Sequence, residues 1–136
     1  MLCAAIAAAG HATRFVLVSP AFGCEVNIIE ASLVGSLIIG LLAVLLSGRV
    51  KSPAEGCIFP ALLPMFPGVY AYRTFGGAAM CVLGQSRDTF AGYFYEFAYN
   101  GLMTLCILVA MAVGAVLPIF LFEKISFQAT RQHKLL

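Results

Sequence analysis

Three prolines and a glycine crowd the nine residues Pro60-Ala61-Leu62-Leu63-Pro64-Met65-Phe66-Pro67-Gly68, and Arg73 follows five residues later. Each proline removes a backbone donor and presses its ring on the preceding turn, while Gly68 is free to adopt positive φ, so a continuous helix is not expected here. A broken helix presents peptide groups without partners. Beside a guanidinium, which can grip a carboxylate with a two-pronged fork, such groups are the parts of an anion-binding site. Pro64, Pro67, Gly68 and Arg73 are therefore candidate solute-binding residues. The competing readings are a plain proline kink, or two short helices meeting at a surface. For Arg73 they are a side chain that reaches to an interface or pairs with Glu30.

Two further groups can change protonation near neutral pH once burial or a neighbouring charge shifts their affinities: Glu30 and His11. Both are candidates for following a proton gradient. The blander readings are an interfacial carboxylate for Glu30 and, for His11, a ring hydrogen-bonded within Gly10-His11-Ala12-Thr13-Arg14. Asn100, with Thr104 one turn on, supplies an amide that either caps a helix, the favoured role, or bonds across a bundle.

Other chemistries lack their parts. The sequence has no Ser-His-Asp set, no H-E-x-x-H, no glycine-rich phosphate loop and no paired carboxylates in one segment, so neither a catalytic residue nor a nucleotide cofactor is expected. The five cysteines, Cys3, Cys24, Cys57, Cys81 and Cys106, are odd in number, widely spaced and without a C-x-x-C pair, which indicates neither a disulfide framework nor a metal site. They read as small apolar fillers. A net charge of +2, split among short connections, excludes nucleic acid as a partner.

The elements that must hold these residues are dictated by solvent. Of 136 residues 62% are hydrophobic and 10% charged, with a mean hydropathy of +0.99, and a soluble domain of this size cannot hide so much apolar surface. The lipid bilayer is the expected surrounding. A spanning helix needs roughly 20 apolar residues, and that ruler gives about four segments, 2–18, 28–46, 57–83 and 101–122, in one all-α membrane bundle whose third span is broken at the proline-rich stretch. In lipid, freed peptide groups cost several kcal/mol each unless protein or water meets them, so such a break is placed against other helices or a polar cavity. An arginine inside the same span has the same requirement. The aromatic-rich residues 84–99 read as an interfacial loop or short helix.

Arg49, Lys51, Lys124, Arg131 and Lys134 fall on one side of the expected topology, with Arg87 and Arg14 on the other, so both termini are expected to be cytoplasmic. Small residues recur every four positions, Ser32, Ser36 and Gly40, then Cys106, Ala110 and Gly114, which implies close helix partners within the chain or in another subunit, a homo-oligomer included.

In order, Gly10-His11-Ala12-Thr13-Arg14, Leu33-Val34-Gly35, Pro64-Met65-Phe66-Pro67-Gly68, Ala71-Tyr72-Arg73 and Asn100 make the chain resemble the threonine/serine exporter (ThrE-like) family, in its small-subunit, YjjB-like form. The resemblance runs from about Ala5 to Phe122, and the Pro-Met-Phe-Pro-Gly pentapeptide is its most specific part. It implies a secondary exporter in the bacterial inner membrane. The small membrane subunit would work with a larger multispan subunit, and the substrate would be a small amino acid, threonine or serine, or in some members a dicarboxylate such as succinate. It also places Arg14 beside His11, as a further proton-coupling candidate, and Tyr72 beside Arg73, with Asn100, as further substrate-binding candidates in the motif-bearing region. Small subunits of this type carry one more span before the Gly-His motif, whereas only Met1 to Ala9 precede it here. A shortened gene product, a misassigned start or a fragment is the expectation that follows.

Overall fold

The computed structural model describes residues 2–20, 26–50, 54–84 and 87–122, and every regular element among them is helical. The order is α1 (Leu2–Val18), α2 (Ile28–Val50), α3 (Ala54–Leu62), a 3-10 turn (Leu63–Met65), α4 (Gly68–Leu83) and α5 (Arg87–Leu121). The all-α expectation holds. Cys24, Lys51, Lys124, Arg131 and Lys134 lie outside the described residues. By length and composition, two helices among the described residues are able to cross a membrane, through Ile28–Leu46 of α2 and Thr89–Leu121 of α5, and the apolar stretches Cys3–Val18 and Gly56–Met65 are shorter.

The chain divides into two compact units, Met1–Met65 with Val109–Leu136, and Phe66–Leu108. In the first, α1 and α2 are antiparallel, since a side chain on Gly10 would strike Ile39 and one on Gly35 would meet Arg14. A Cβ on Gly35 would stand 3.0 Å from the Gly10 carbonyl and 2.7 Å from Met65 Cε, so these glycines let two backbones touch. The Val26 N–H closes the connection on the Leu17 carbonyl at 3.1 Å. α3 runs parallel to α1, with Cys57 against Cys3 near one end and Met65, just beyond α3, against Arg14 towards the other.

The C-terminal turns of α5 lie parallel to α2. A Cβ on Gly114 would overlap Ser36 Oγ and fall 2.6 Å from the Leu33 carbonyl, and one on Gly40 would fall 2.6 Å from the Ala115 carbonyl. Ser36, Gly40 and Gly114, picked out by their spacing, thus form a seam within the chain. Ile6, Ile39, Val44 and Met65 are fully buried in this unit.

In the second unit α4 and α5 form an antiparallel hairpin. A Cβ on Gly77 would stand 2.9 Å from the Phe97 amide nitrogen and 3.0 Å from the Tyr93 carbonyl, and Thr74 lies opposite Gly101. α4 ends at Gly84, whose N–H donates to the Met80 carbonyl at 2.8 Å before the chain turns extended.

The aromatic-rich stretch differs from expectation. Residues 87–99 are the opening turns of α5, a helix of 35 residues, and neither a loop nor a separate short helix. Its rings support that helix: Phe90 stacks on Phe94 at 5.8 Å and Tyr95 on Tyr99 at 5.9 Å, both at the i,i+4 spacing that joins adjacent turns. Asn100 therefore lies deep in a helix and caps nothing.

Candidate functional site

The proline-rich stretch resolves into a sequence of local decisions. Pro60 is carried inside α3, and Pro64, which has no N–H to donate to the carbonyl four residues back and whose ring would press on it in an α-helix, falls in the 3-10 turn. Pro67 biases Phe66 away from helical geometry and itself takes φ −79°, ψ 59°. With the Gly68 N–H donating to the Phe66 carbonyl at 2.8 Å, this is an inverse γ-turn centred on Pro67. The Ala71 N–H then donates to the Pro67 carbonyl at 3.0 Å and α4 begins. Gly68 does not use the positive φ available to it, and a Cβ there would meet open space.

The carbonyls of residues 65–67, from the end of the 3-10 turn to α4, can be followed one by one. Those of Phe66 and Pro67 are met by the chain itself, as above. That of Met65 accepts from Arg14, whose Nη1 donates to it across 51 residues of sequence. Arg14 is half-buried and Met65 fully buried. A guanidinium that would be costly in a bilayer and a carbonyl that would be costly without a donor satisfy one another.

One turn before Arg14 on α1, His11 is exposed and lines an open cleft of about 500 Å³ together with Pro60, Pro64, Cys3, Ala4, Ala7 and Ala8. The structure thus gathers His11, Arg14 and Pro64 in the first unit, although the sequence read the two α1 residues apart from the prolines. Glu30 is exposed in the first turn of α2, where the positive end of the helix dipole favours a carboxylate whatever its other role.

In the second unit, Pro67 is buried, while Gly68, Tyr72 and Arg73 are exposed, Tyr72 to 79%. Asn100 is buried, 4% exposed, and its amide nitrogen donates to the Glu96 carbonyl at 2.7 Å, one turn back. Thr104 Oγ1 donates in turn to the Asn100 carbonyl at 2.8 Å. The capping role expected for Asn100 is replaced by bonding within its own helix, because α5 starts thirteen residues earlier. Thr13, Ser32, Ser36 and Thr74 do the same in their helices, the usual way hydroxyls are satisfied away from water.

Two features escaped the sequence. The Met65 carbonyl is an acceptor that no side-chain pattern announces, though an arginine in an apolar helix signals that some acceptor must exist. The sulfurs of Cys3 and Cys57 lie 3.0 Å apart, which the irregular cysteine spacing gave no means of finding. Among the described residues no group of three or more His, Cys, Asp or Glu is placed to hold a metal ion.

Residues 1–121 match the family described as Threonine/Serine exporter, ThrE. The chain belongs to that family. A match of this extent places the His11, Arg14, proline-turn, Arg73 and Asn100 positions all within the ThrE family region. A protein of Haemophilus influenzae, described as an uncharacterized protein, is 31% identical to this ThrE-family chain over 123 residues, 90% of the chain and 39% of that protein. The chain therefore spans about two fifths of the length of that relative. No solved structure matches it.

Proposed function

We propose that this chain is one membrane subunit of a secondary transporter that exports threonine and serine across the inner membrane together with a larger multispan subunit. The observation that carries the reading is the ThrE family match over residues 1–121. Its being membrane-embedded agrees with the two long apolar helices. In this reading α1 and the combined α3–α4 segment complete four spans, both termini are cytoplasmic, and the interruption at residues 63–67 lies within the bilayer. Arg73 and the peptide groups near Gly68 engage the substrate carboxylate, with Pro64, Pro67, the adjacent Tyr72, and Asn100 on α5 as further substrate-binding candidates, and His11, Glu30 and Arg14 are the proton-coupling candidates. Support for further helices comes from Arg73, which is exposed on the isolated chain, whereas the exposed apolar side chains, Phe75 and Val82 among them, are equally suited to lipid. An exposed arginine within an apolar segment needs protein or water beside it. The greater length of the Haemophilus relative agrees with a fuller assembly.

The test is threonine efflux from cells that carry the larger subunit with wild-type, Arg73→Ala or Pro67→Ala chains that still assemble. Efflux is expected to fall to the level of cells without this chain. A second reading, a subunit that only scaffolds its partner, is favoured by one observation: Arg14 is engaged by a backbone carbonyl. Undiminished efflux in both variants would select it. Competition with unlabelled serine, and its absence with succinate, separates amino-acid export from dicarboxylate export.

A further inference from the structure

We propose that Cys3 and Cys57 form a reversible intramolecular disulfide that clamps α1 to α3 beside the His11 cleft, a thiol-oxidation site within a single chain. The two sulfurs are 3.0 Å apart although 54 residues separate them in sequence. That is closer than two sulfurs rest in ordinary van der Waals contact, and bond formation asks for a further approach of only about 1 Å. Both cysteines are free thiols and both are half-buried. Cys3 also lines the open cleft, so a small oxidant reaches the pair from that side.

The second observation is what the bond would connect. α1 supplies one wall of the cleft through Ala4, Ala7 and His11, and α3 with its following turn supplies the other through Pro60 and Pro64. At one end these walls are already joined by the Arg14 to Met65 hydrogen bond. Cys3 and Cys57 stand towards the other end, so oxidation fixes both ends and holds the walls at one separation, and reduction frees one of them.

The chemistry balances with hydrogen peroxide as oxidant. One thiol gives up its proton and its thiolate attacks the peroxide, becoming a sulfenic acid and expelling hydroxide, which takes that proton and leaves as water. The second thiol attacks that sulfur, forming the S–S bond and releasing a second water. Two equivalents of a low-molecular-weight thiol reverse the step by exchange through a mixed disulfide, leaving their own disulfide behind.

The test uses the full chain in membrane vesicles treated with hydrogen peroxide, denatured, and labelled with a maleimide polymer that reports each remaining thiol as a gel shift. Two of the five thiols are expected to disappear in a monomeric band and to return with dithiothreitol. A peptide joining Cys3 to Cys57 should appear by mass spectrometry, and Cys3→Ser and Cys57→Ser chains should each keep all four of their thiols. Five labelled thiols after oxidation, a different pair, a crosslinked dimer, or a loss that dithiothreitol does not restore would each overturn the proposal. The thiol count does not depend on transport, so failure of the export reading leaves it standing.

Discussion

The guanidinium of Arg14 donates to the main-chain carbonyl of Met65, joining the first helix to the point where the α3 segment loses its helical course. Prolines free a carbonyl, and an arginine on a neighbouring helix takes it up. Each is a liability alone in an apolar surrounding, and together they fix where α1 meets the turn.

Removing that donor is expected to cost stability before anything else. Arg14→Ala leaves the Met65 carbonyl buried without its charged partner, a loss of about 1–3 kcal/mol. The midpoint of thermal unfolding in detergent, followed by the helical circular dichroism signal, should fall. Arg14→Lys keeps a charged donor without the planar fork and should restore part of the loss. An unchanged midpoint in Arg14→Ala would show that the bond is not formed.

Adjacent glycines on α4 make opposite predictions. A Cβ on Gly77 would stand 2.9 Å from the Phe97 amide nitrogen, a backbone atom that has nowhere to go, whereas one on Gly76 meets nothing within 4 Å. Gly77→Ala is expected to separate α4 from α5 and destabilise the hairpin by about 1–3 kcal/mol. Gly76→Ala should stabilise its helix by roughly 0.5–1 kcal/mol. Thermal unfolding of the two variants side by side decides it, and equal effects would show that the α4–α5 approach is wrong.

The same reasoning applies to the α2–α5 seam. On Gly114 an added methyl group would collide with Ser36 Oγ and lie 2.6 Å from the Leu33 carbonyl. Of these only the hydroxyl can turn away. Gly114→Ala is expected to lower the unfolding midpoint even when Ser36 is also changed to alanine, because the carbonyl clash persists. Full recovery in the double variant would mean that only the hydroxyl obstructed the approach.

How much of this was legible in the sequence varies with the distance over which the cause acts. Helix positions follow from apolar run length and proline placement, which are local, so α1 and α2 start where the hydropathy of the chain puts them. The seam glycines were legible because close packing leaves a four-residue rhythm. The start of α5 was not, because aromatic residues suit both an interface and a helix, and the choice was made by ring stacking between turns. Asn100 was misread for the same reason: a cap is defined by where a helix begins. The Arg14 to Met65 bond and the Cys3 to Cys57 pair join residues 51 and 54 positions apart, and the packing of α1 on α3 creates both.

Pro67 offers the most incisive test of whether the interruption itself matters. Its ring holds φ near the value an inverse γ-turn needs, and it has no N–H with which to continue the helix from Leu63. Alanine can occupy the same turn, but it gains a donor whose natural acceptor is the Leu63 carbonyl. Pro67→Ala should therefore lengthen the helical run through residues 63–68 and dissolve the Gly68 to Phe66 bond. As the run straightens, the Met65 carbonyl finds a partner in its own helix and no longer depends on Arg14. The expected result is a chain no less stable than wild type by thermal unfolding, in which Arg14→Ala costs markedly less than it does with Pro67 present. That non-additivity is what a double-mutant cycle reads for residues that share one arrangement. If the cost of Arg14→Ala is the same in both backgrounds, Pro67 does not set the geometry that Arg14 serves, and the turn loses its claim to be the organising feature of the site.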